Sequence, residues 1–90
     1  MKISDKEKVF KALGDRNRLM IMDLISENEL NAGQILRQVK MGQSTLSHHM
    51  KILCDCGIVI SRKDSRWVYY SINPDVAQEV CDVRAGWIKE

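Results

Sequence analysis

The sequence has no long apolar run and few of the residues that mark fibrous or low-complexity proteins. No stretch approaches the roughly 18 uninterrupted apolar residues of a membrane span. The first residues turn charged at once, with Lys2, Asp5 and Lys6, and so lack the apolar core of a signal peptide. One proline and five glycines among 90 residues exclude collagen-like and repetitive classes. We therefore expect a cytoplasmic protein that does not enter a membrane, with a single domain over residues 1–90.

The cysteines do not have the number that a disulfide framework needs. There are three of them, Cys54, Cys56 and Cys81, and such a framework uses an even count. In a reducing cytosol, free thiols, metal ligands or redox groups are the expected roles. A chain this short buries a modest core, and folds of this size usually gain stability from a disulfide, a metal or a partner subunit.

The positive charge is concentrated in the middle of the chain. Residues 34–70 carry six Lys and Arg against two Asp and Glu, a net charge of +4. Residues 1–33 are balanced, with six of each sign, and residues 71–90 have two against four, a net charge of −2. A local basic excess is typical of a surface that binds phosphates. An unevenly charged solvated surface would look the same, so charge alone does not decide the function.

The apolar spacing predicts four helices before residue 57. The first helix ends at Gly14, Asp15 is placed to cap the second, and Asn31 is placed to cap a short third helix. A turn at residues 40–43 leads to the fourth helix, predicted over about 43–56. Two short helices joined by a glycine-containing turn are typical of a helix-turn-helix.

After residue 57 the pattern changes to strands. A β-branched run and an alternating run predict a hairpin over about 58–73, with Asp64-Ser65 at the centre of its turn. Asn73 and Pro74 then begin a last helix over about 74–88. The predicted fold class is mainly α with a small β-hairpin, in the order α-α-α-α-β-β-α. A basic hairpin directly after a helix-turn-helix makes this a winged helix-turn-helix.

The fourth helix has two different faces. Leu46, Met50 and Leu53 form an apolar face that must dock on the preceding helices, and the opposite face is polar. An α-helix fits the major groove of DNA, where its N-terminal residues lie deepest. We predict base contacts from Gln43, Ser44, Ser47 and His48 and phosphate contacts from Thr45 and Lys51. The alternative for the Ser and Thr residues is that they only cap the helix.

The hairpin adds a second basic element. Arg62, Lys63 and Arg66 are predicted to reach phosphates or a narrow minor groove, although a charged turn also serves solubility alone. His49 lies nearer the apolar side of its helix, which favours a half-buried, hydrogen-bonded core residue. Trp67, like the tyrosines after it, is expected to pack on the sheet rather than to stack on bases.

Three segments resemble the ArsR family of arsenic- and metal-sensing repressors. They are FKALGDRNRL at 10–19, QSTLSHHMKIL at 43–53, and GIV at 57–59 followed by RK at 62–63 and RWVYYSI at 66–72. The segments occur in the order of the family and cover roughly residues 6–73.

The resemblance implies a homodimeric winged helix-turn-helix repressor that binds double-stranded operator DNA with an inverted repeat and leaves when an inducer binds. It also implies a dimer interface between the first and last helices. In this chain the interface residues would be Val9, Phe10, Val76, Val80, Val83 and Trp87.

The sensing residues depart from the family. Arsenic sensors often carry a Cys-x-Cys at the start of the third helix, where this chain has Asn31 and Gly33. Zinc and cobalt sensors use His and carboxylate pairs on the last helix, which here has carboxylates but no His. The remaining candidates for a soft metal or metalloid ion are Cys54, Cys56 and Cys81. Residues two apart on a helix are rotated by about 200°, which opposes joint ligation by the first two. The alternative is that these cysteines are small buried hydrophobes.

The leading hypothesis is therefore a sequence-specific DNA-binding transcriptional regulator, a repressor released by a thiophilic metal, a metalloid or a redox signal. One alternative is a winged helix that binds another protein and no DNA, which would gain if the 43–51 face and the hairpin did not share a surface. Another is a regulator of this family that has lost metal sensing. A thiol enzyme that uses Cys54 or Cys56 with His48 or His49 is the last, and the short chain offers little room for a pocket.

Overall fold

The structure is a computed structural model that describes residues 1–88. Its helices and strands, in chain order, are α1 (Ile3–Leu13), α2 (Arg16–Glu27), β1 (Leu30–Asn31), α3 (Ala32–Leu36), α4 (Gln43–Asp55), β2 (Val59–Asp64), β3 (Trp67–Ile72) and α5 (Pro74–Trp87). Within that range no helix is both long and apolar enough to cross a membrane.

Polar side chains begin three of the helices. Asp15 accepts a hydrogen bond from the backbone N–H of Arg18 at 3.1 Å and so caps α2. Asn31 and Gln34 form a reciprocal capping box at α3, with both hydrogen bonds at 2.9 Å. Asn73 caps α5, whose first residue is a proline. These local bonds set the helix boundaries where the sequence predicted them.

Strand β1 was not predicted from the sequence. It pairs antiparallel with β3, through Leu30 opposite Tyr70 and Asn31 opposite Tyr69, and makes a three-stranded sheet in the order β1-β3-β2. Two residues are too few to show the alternation that marks a strand, and Asn31 is also the cap of α3. The pairing attaches the hairpin to the helical part of the fold.

The hairpin turn lies one residue later than predicted. The register runs from Val59 opposite Ile72 to Asp64 opposite Trp67, which leaves Ser65 and the next residue as the turn. Ser65 has a φ of 59°, in the left-handed region that tight two-residue hairpin turns favour. The prediction of Asp64-Ser65 as the turn centre was therefore wrong by one position, because the strand pairing and not the turn residues sets the register.

The hydrophobic core lies between α4 and the helices before it. Ile21 of α2, Ile35 of α3 and Leu53 of α4 are fully buried, and Leu46 is 1% exposed. Val59 at the start of β2 joins the same cluster. Since burial of each such side chain contributes about 1.5–3 kcal/mol, the core holds α4 in one orientation. The opposite side of α4 is left facing outward.

Gly57 turns the chain from α4 into β2. Its φ is 88°, a conformation that L side chains rarely adopt, and its N–H donates to the carbonyl of Cys54 at 3.0 Å. The glycine therefore ends α4 and lets the hairpin begin beside that helix.

Candidate nucleic-acid interface

The polar face of α4 is exposed along its length. The three apolar residues predicted to face the core are buried, with Leu46 at 1%, Met50 at 2% and Leu53 at 0% exposure. The residues predicted to contact DNA are all exposed: Gln43, Ser44, Thr45, Ser47, His48 and Lys51. The face therefore presents hydroxyl, amide, imidazole and ammonium groups together, which are the donors and acceptors that read base edges and phosphates.

The N-terminus of α4 is not capped by a side chain. The cap residue is Gly42, which has no side chain to bond the first amides, and the first turn holds no acidic residue. Ser44 and Thr45 lie inside the helix, so the alternative that they serve as caps is wrong. Uncapped amides and the positive end of the helix dipole both favour an anion such as a phosphate at this end.

Within residues 1–88, Lys51 has one weak ion-pair partner. Its ammonium lies 3.0 Å from the Asp55 carboxylate one turn later, and the two side chains are 75% and 64% exposed. Exposed pairs of this kind contribute about 0.2–1 kcal/mol. The ammonium can therefore turn toward a DNA phosphate at little cost.

The hairpin and α4 open onto the same side of the molecule. A cleft of about 200 Å³ lies between them. Its walls are Ser47, Met50, Lys51 and Cys54 from α4 and Ser61, Val68 and Tyr70 from the hairpin. The polar face of α4 and the inner face of the hairpin are thus adjacent parts of one surface, as contact with a single duplex requires.

Arg62 is held by groups of the protein itself. Its Nε donates to Oε2 of Glu29 at 3.2 Å and its Nη2 to Oε1 at 2.6 Å, and its guanidinium lies 4.9 Å from the centre of the Tyr69 ring. Its Nη1 lies 3.6 Å from the Asp64 carboxylate. The hydrogen bond from Arg62 lowers the pKa of Glu29, and Glu29 in turn raises the pKa of Arg62.

These contacts favour a positioning role for Arg62, while its predicted contact with DNA stays a prediction. Glu29 lies between α2 and β1, and Arg62 lies in β2, so the pair joins the hairpin to the helical part of the fold. A bidentate Arg–carboxylate pair fixes orientation as well as distance. The structure thus favours Arg62 as a residue that positions the hairpin, a role that depends on a partner too distant along the chain to be predicted.

Lys63 and Arg66 are better placed to meet DNA. Both are exposed, and within residues 1–88 neither has an acidic partner at ion-pair distance. The Arg66 guanidinium lies over the Trp67 ring, 5.3 Å from its centre. Stacking on an aromatic ring leaves the N–H groups at the guanidinium edge available for phosphate oxygens.

His49 is a core residue. It is 7% exposed, and its Nδ1 lies 3.1 Å from Nη1 of Arg18. Arg18 also donates from Nε to the Ala12 carbonyl at 2.5 Å. The interpretation of His49 as a hydrogen-bonded core residue is confirmed, and the residue is more deeply buried than expected.

The three cysteines do not form one site within a chain. Among residues 1–88, no group of three or more His, Cys, Asp and Glu side chains could hold a metal ion. Cys54 lies in the cleft between α4 and the hairpin, Cys56 lines a cavity beside α1, and Cys81 is exposed on α5. The expectation of a shared three-thiolate site is therefore wrong for a single subunit, since residues two apart in a helix point in opposite directions.

Cys54 is also unsuited to act as a reactive thiolate. It is half-buried, and desolvation raises the pKa of its thiol, with the Asp55 charge adding to the rise. A raised pKa keeps the free sulfur protonated, whereas nucleophilic attack uses the thiolate.

The predicted dimer-interface residues divide into buried, half-buried and exposed pairs. Val9 and Val83 are buried within one chain, at 2% and 7% exposure, so they offer little surface to the predicted interface. Val76 and Val80 are half-buried and pack against the core. Their inward packing follows from the broad apolar face of α5, part of which the same chain covers.

Phe10 and Trp87 form an exposed apolar face across α1 and α5. They are 38% and 69% exposed, and their rings stack with centres 6.2 Å apart. Ile3 at 77% and Ile88 at 53% extend the exposed apolar surface of these two elements. Neither isoleucine was predicted for the interface, since each lies at an end of its helix, where helical spacing gives little signal.

Comparisons with known proteins bear on the family. Residues 15–61, which include the helix-turn-helix and the start of the hairpin, match the model described as "Bacterial regulatory protein, arsR family". An uncharacterized HTH-type transcriptional regulator of Methanocaldococcus jannaschii is 42% identical over 80% of this chain and 82% of its own length. The arsenical resistance operon repressor of Staphylococcus aureus is 38% identical over 89% of this chain and 77% of its own.

A solved structure agrees in fold. The homodimeric winged helix-turn-helix DNA-binding domain from Mycobacterium bovis, determined by solution NMR, superposes with a TM-score of 0.79 at 30% identity, over 98% of this chain and 84% of that one. The fold and the exposed face of α4 thus define a winged helix-turn-helix DNA-binding transcriptional regulator. The chain belongs to the arsR family of bacterial regulatory proteins. The family consists of regulators and not enzymes, which confirms the prediction of a non-enzymatic function.

Proposed function

We propose that this protein is a homodimeric repressor that binds an inverted-repeat operator in double-stranded DNA through α4 and the hairpin. The observation that carries the proposal is the common surface that these two elements form, with Ser47 and Lys51 on one wall of the cleft and Ser61 on the other. The Staphylococcus aureus relative is named an operon repressor, which supports repression rather than activation. A winged helix that binds only proteins would not need this polar face to adjoin a basic hairpin.

The DNA contacts divide into those that select sequence and those that supply affinity. Base contacts are proposed for Gln43, Ser44, Ser47 and His48, which line the exposed N-terminal part of α4. Phosphate contacts are proposed for Thr45, Lys51, Lys63 and Arg66 and for the uncapped amides at Gly42. Each neutralised phosphate releases counterions, so affinity must fall steeply with salt.

The dimer is proposed to form through the exposed parts of α1 and α5. Phe10 and Trp87 are the centre of that face, and Ile3 and Ile88 widen it. A two-fold dimer would place its two α4 helices about one DNA turn apart, which matches an inverted repeat. The homodimeric relative of the same fold supports this arrangement.

Release by a soft metal, a metalloid or an oxidant stays a prediction. The three cysteines lie on separate parts of one chain, so a three-thiolate site would need sulfur ligands from two subunits. The positions that hold cysteines in arsenic sensors of the family are Asn31 and Gly33 here. Adding arsenite, cadmium or an oxidant to the protein–DNA complex, with Cys81→Ser as the control, separates a thiol sensor from a regulator that lacks metal sensing.

Selection of binding sites from random DNA, followed by fluorescence anisotropy at two salt concentrations, tests the proposal. We expect an enriched inverted repeat and preference for it over unrelated DNA. Ser47→Ala and His48→Ala should change the preferred bases, while Lys51→Ala should weaken binding to all sequences alike. Lys2→Ala, a charge change at the start of α1, is the matched control. Equal binding to every sequence, or no binding, would overturn the proposal.

A further inference from the structure

A cavity of about 450 Å³ lies between α1, α2 and the C-terminal half of α4. It is on the other side of α4 from the cleft beside the hairpin, since Cys56 lines the cavity and Cys54 lines the cleft. Its volume falls in the range of about 300–1,000 Å³ that small-molecule sites occupy. None of the residues proposed to contact DNA lines it.

The walls of the cavity combine positive charge with apolar surface. Lys8, Lys11 and Arg18 supply three positive charges, and Asp55 is the one carboxylate among the lining residues that the structure describes. Asp55 already pairs with Lys51 outside the cavity. Ala12 and Ile52 add apolar surface. This combination suits a small molecule with an anionic head and a short apolar body.

Arg18 has donors left to bind such a head. Its Nε donates to the Ala12 carbonyl and its Nη1 to His49, but its Nη2 reaches the Lys11 carbonyl only at 3.5 Å. A guanidinium carries five N–H donors in a planar fork, so some remain for a further acceptor. The fork matches the two oxygens of a carboxylate or phosphate.

Two contacts connect the cavity to the DNA-facing side of α4. Arg18 bonds His49 on the buried side of the helix, next to His48 on its exposed side. Asp55 lines the cavity and pairs with Lys51, a proposed phosphate contact. An anion that draws Arg18 toward itself would therefore weaken the Arg18–His49 contact and change the position of α4. An anion that repels Asp55 would change the ion pair between Asp55 and Lys51.

We propose that this cavity binds a small organic anion and that its occupancy changes the affinity of α4 for DNA. The anionic head lies among Lys8, Lys11 and Arg18, and the apolar body lies against Ala12 and Ile52. The second part of this inference rests on the proposed function, whereas the anion site itself does not. Coupling between the two sites is reciprocal, so DNA must change the affinity for the anion by the same factor.

The site is tested first without DNA. Hexanoate and hexyl phosphate are titrated into the ¹⁵N-labelled full chain, with 1-hexanol as the uncharged probe of matched length. We expect amide shifts centred on α1 and the C-terminal half of α4, and affinity at least tenfold higher for the anions than for 1-hexanol. Shifts elsewhere only, or equal affinity for the alcohol, would overturn the site. The two anions show which head group the cavity prefers.

Variants assign the binding to these side chains. Lys8→Gln combined with Lys11→Gln should weaken hexanoate binding at least tenfold, because both lysines are exposed and can be replaced without loss of the core. Lys2→Gln combined with Lys40→Gln removes the same charge outside the cavity and is the matched control. Equal weakening in both pairs would show general charge attraction and would contradict the site.

The link to DNA is measured at constant ionic strength, with chloride replacing hexanoate, because salt alone changes DNA affinity. We expect saturating hexanoate to change the Kd for the selected DNA at least threefold in the wild type and not in the Lys8→Gln, Lys11→Gln variant. An unchanged Kd in the wild type would overturn the coupling. If the protein bound hexanoate but no DNA, the proposed function would fail and the anion site would stand.

Discussion

Arg18 and His49 meet in a contact that fixes the tautomer of a buried imidazole. Nη1 of Arg18 lies 3.1 Å from Nδ1 of His49. A guanidinium has only donors, so Nδ1 must be the acceptor and the ring proton must lie on Nε2. The contact joins the start of α2 to the buried face of α4, and so ties the position of α4 to that of α2.

Imidazole NMR checks this assignment. We expect the ¹⁵N shifts of His49 at neutral pH to show an unprotonated Nδ1 and a protonated Nε2, because Arg18 cannot accept a proton. His48 is exposed and serves as the reference within the same helix. A proton on Nδ1 of His49 would contradict the contact.

Removal of Arg62 should weaken DNA binding without changing its salt dependence. Since Arg62 is bonded to Glu29, it positions the hairpin and releases no counterion when DNA binds. We expect the slope of log K against log salt to be unchanged in Arg62→Ala. In Lys63→Ala and in Arg66→Ala it should be smaller in magnitude by about 1.8, since each substitution removes about 0.9 per subunit of the dimer. Anisotropy titrations over a salt series give these slopes. A smaller slope in Arg62→Ala would show that Arg62 contacts a DNA phosphate.

Trp87→Ala should shift the dimer toward monomer. Trp87 is 69% exposed in a single chain and stacks on Phe10, as expected of the aromatic centre of an interface. Loss of such a residue typically costs about 2 kcal/mol or more in binding, which is more than tenfold in Kd. Sedimentation equilibrium measures the dissociation constant. Trp67→Ala, at a hairpin tryptophan 46% exposed, is the control, and equal effects of the two variants would argue against this interface.

The Arg62–Glu29 pair should contribute stability that is lost in acid. Arg62 lowers the pKa of Glu29 below its ordinary value of 4.5, so the folded state binds this proton less readily than the unfolded state. The contribution is therefore complete above pH 4.5 and disappears as the pH falls through the lowered folded value.

Urea unfolding of wild type and Glu29→Gln over a pH series checks the sign. The wild type should be the more stable at neutral pH, and the difference should shrink in acid. Glu27→Gln, at a glutamate two residues away on α2, is the comparison variant. A difference that grew as the pH fell would show that Glu29 is not held as a carboxylate by Arg62.

Ser65→Gly should stabilise the fold. Ser65 has a φ of 59°, a conformation that is strained for an L residue with a Cβ atom but not for glycine. We expect a gain of about 0.5–1 kcal/mol in the free energy of unfolding. Ser61→Gly, within extended β2, should instead destabilise by about 0.5–1 kcal/mol. Equal losses in both variants would mean that the turn does not hold Ser65 in the left-handed region.

The features that the sequence predicted are those set by neighbours along the chain. Asp15, Asn31 and Asn73 each cap a helix through a residue two or three positions away, and α4 follows from helical spacing of its own apolar residues. Once Leu46 and Leu53 are buried, helix geometry leaves the opposite face of α4 exposed, so that face could also be predicted. The resemblance supplied the family, which the matching model and relatives confirm.

The features that the sequence did not predict depend on contacts between residues that are distant along the chain. Arg62 and Glu29 are 33 positions apart, and Arg18 and His49 are 31 apart. The burial of Val9 and Val83 depends on how α1 and α5 lie on the rest of the chain. Periodicity shows that a face is apolar but not whether the same chain or a second copy covers it.

Cys54 and Cys56 lie on opposite sides of α4, so the chain carries one native probe position on each side of that helix. Cys54 lines the cleft beside the hairpin, and Cys56 lines the cavity between α1, α2 and α4. With ¹³C-labelled cysteine in a Cys81→Ser background, the two remaining Cβ signals would respond separately, so a single spectrum would distinguish occupancy on one side of the helix from occupancy on the other.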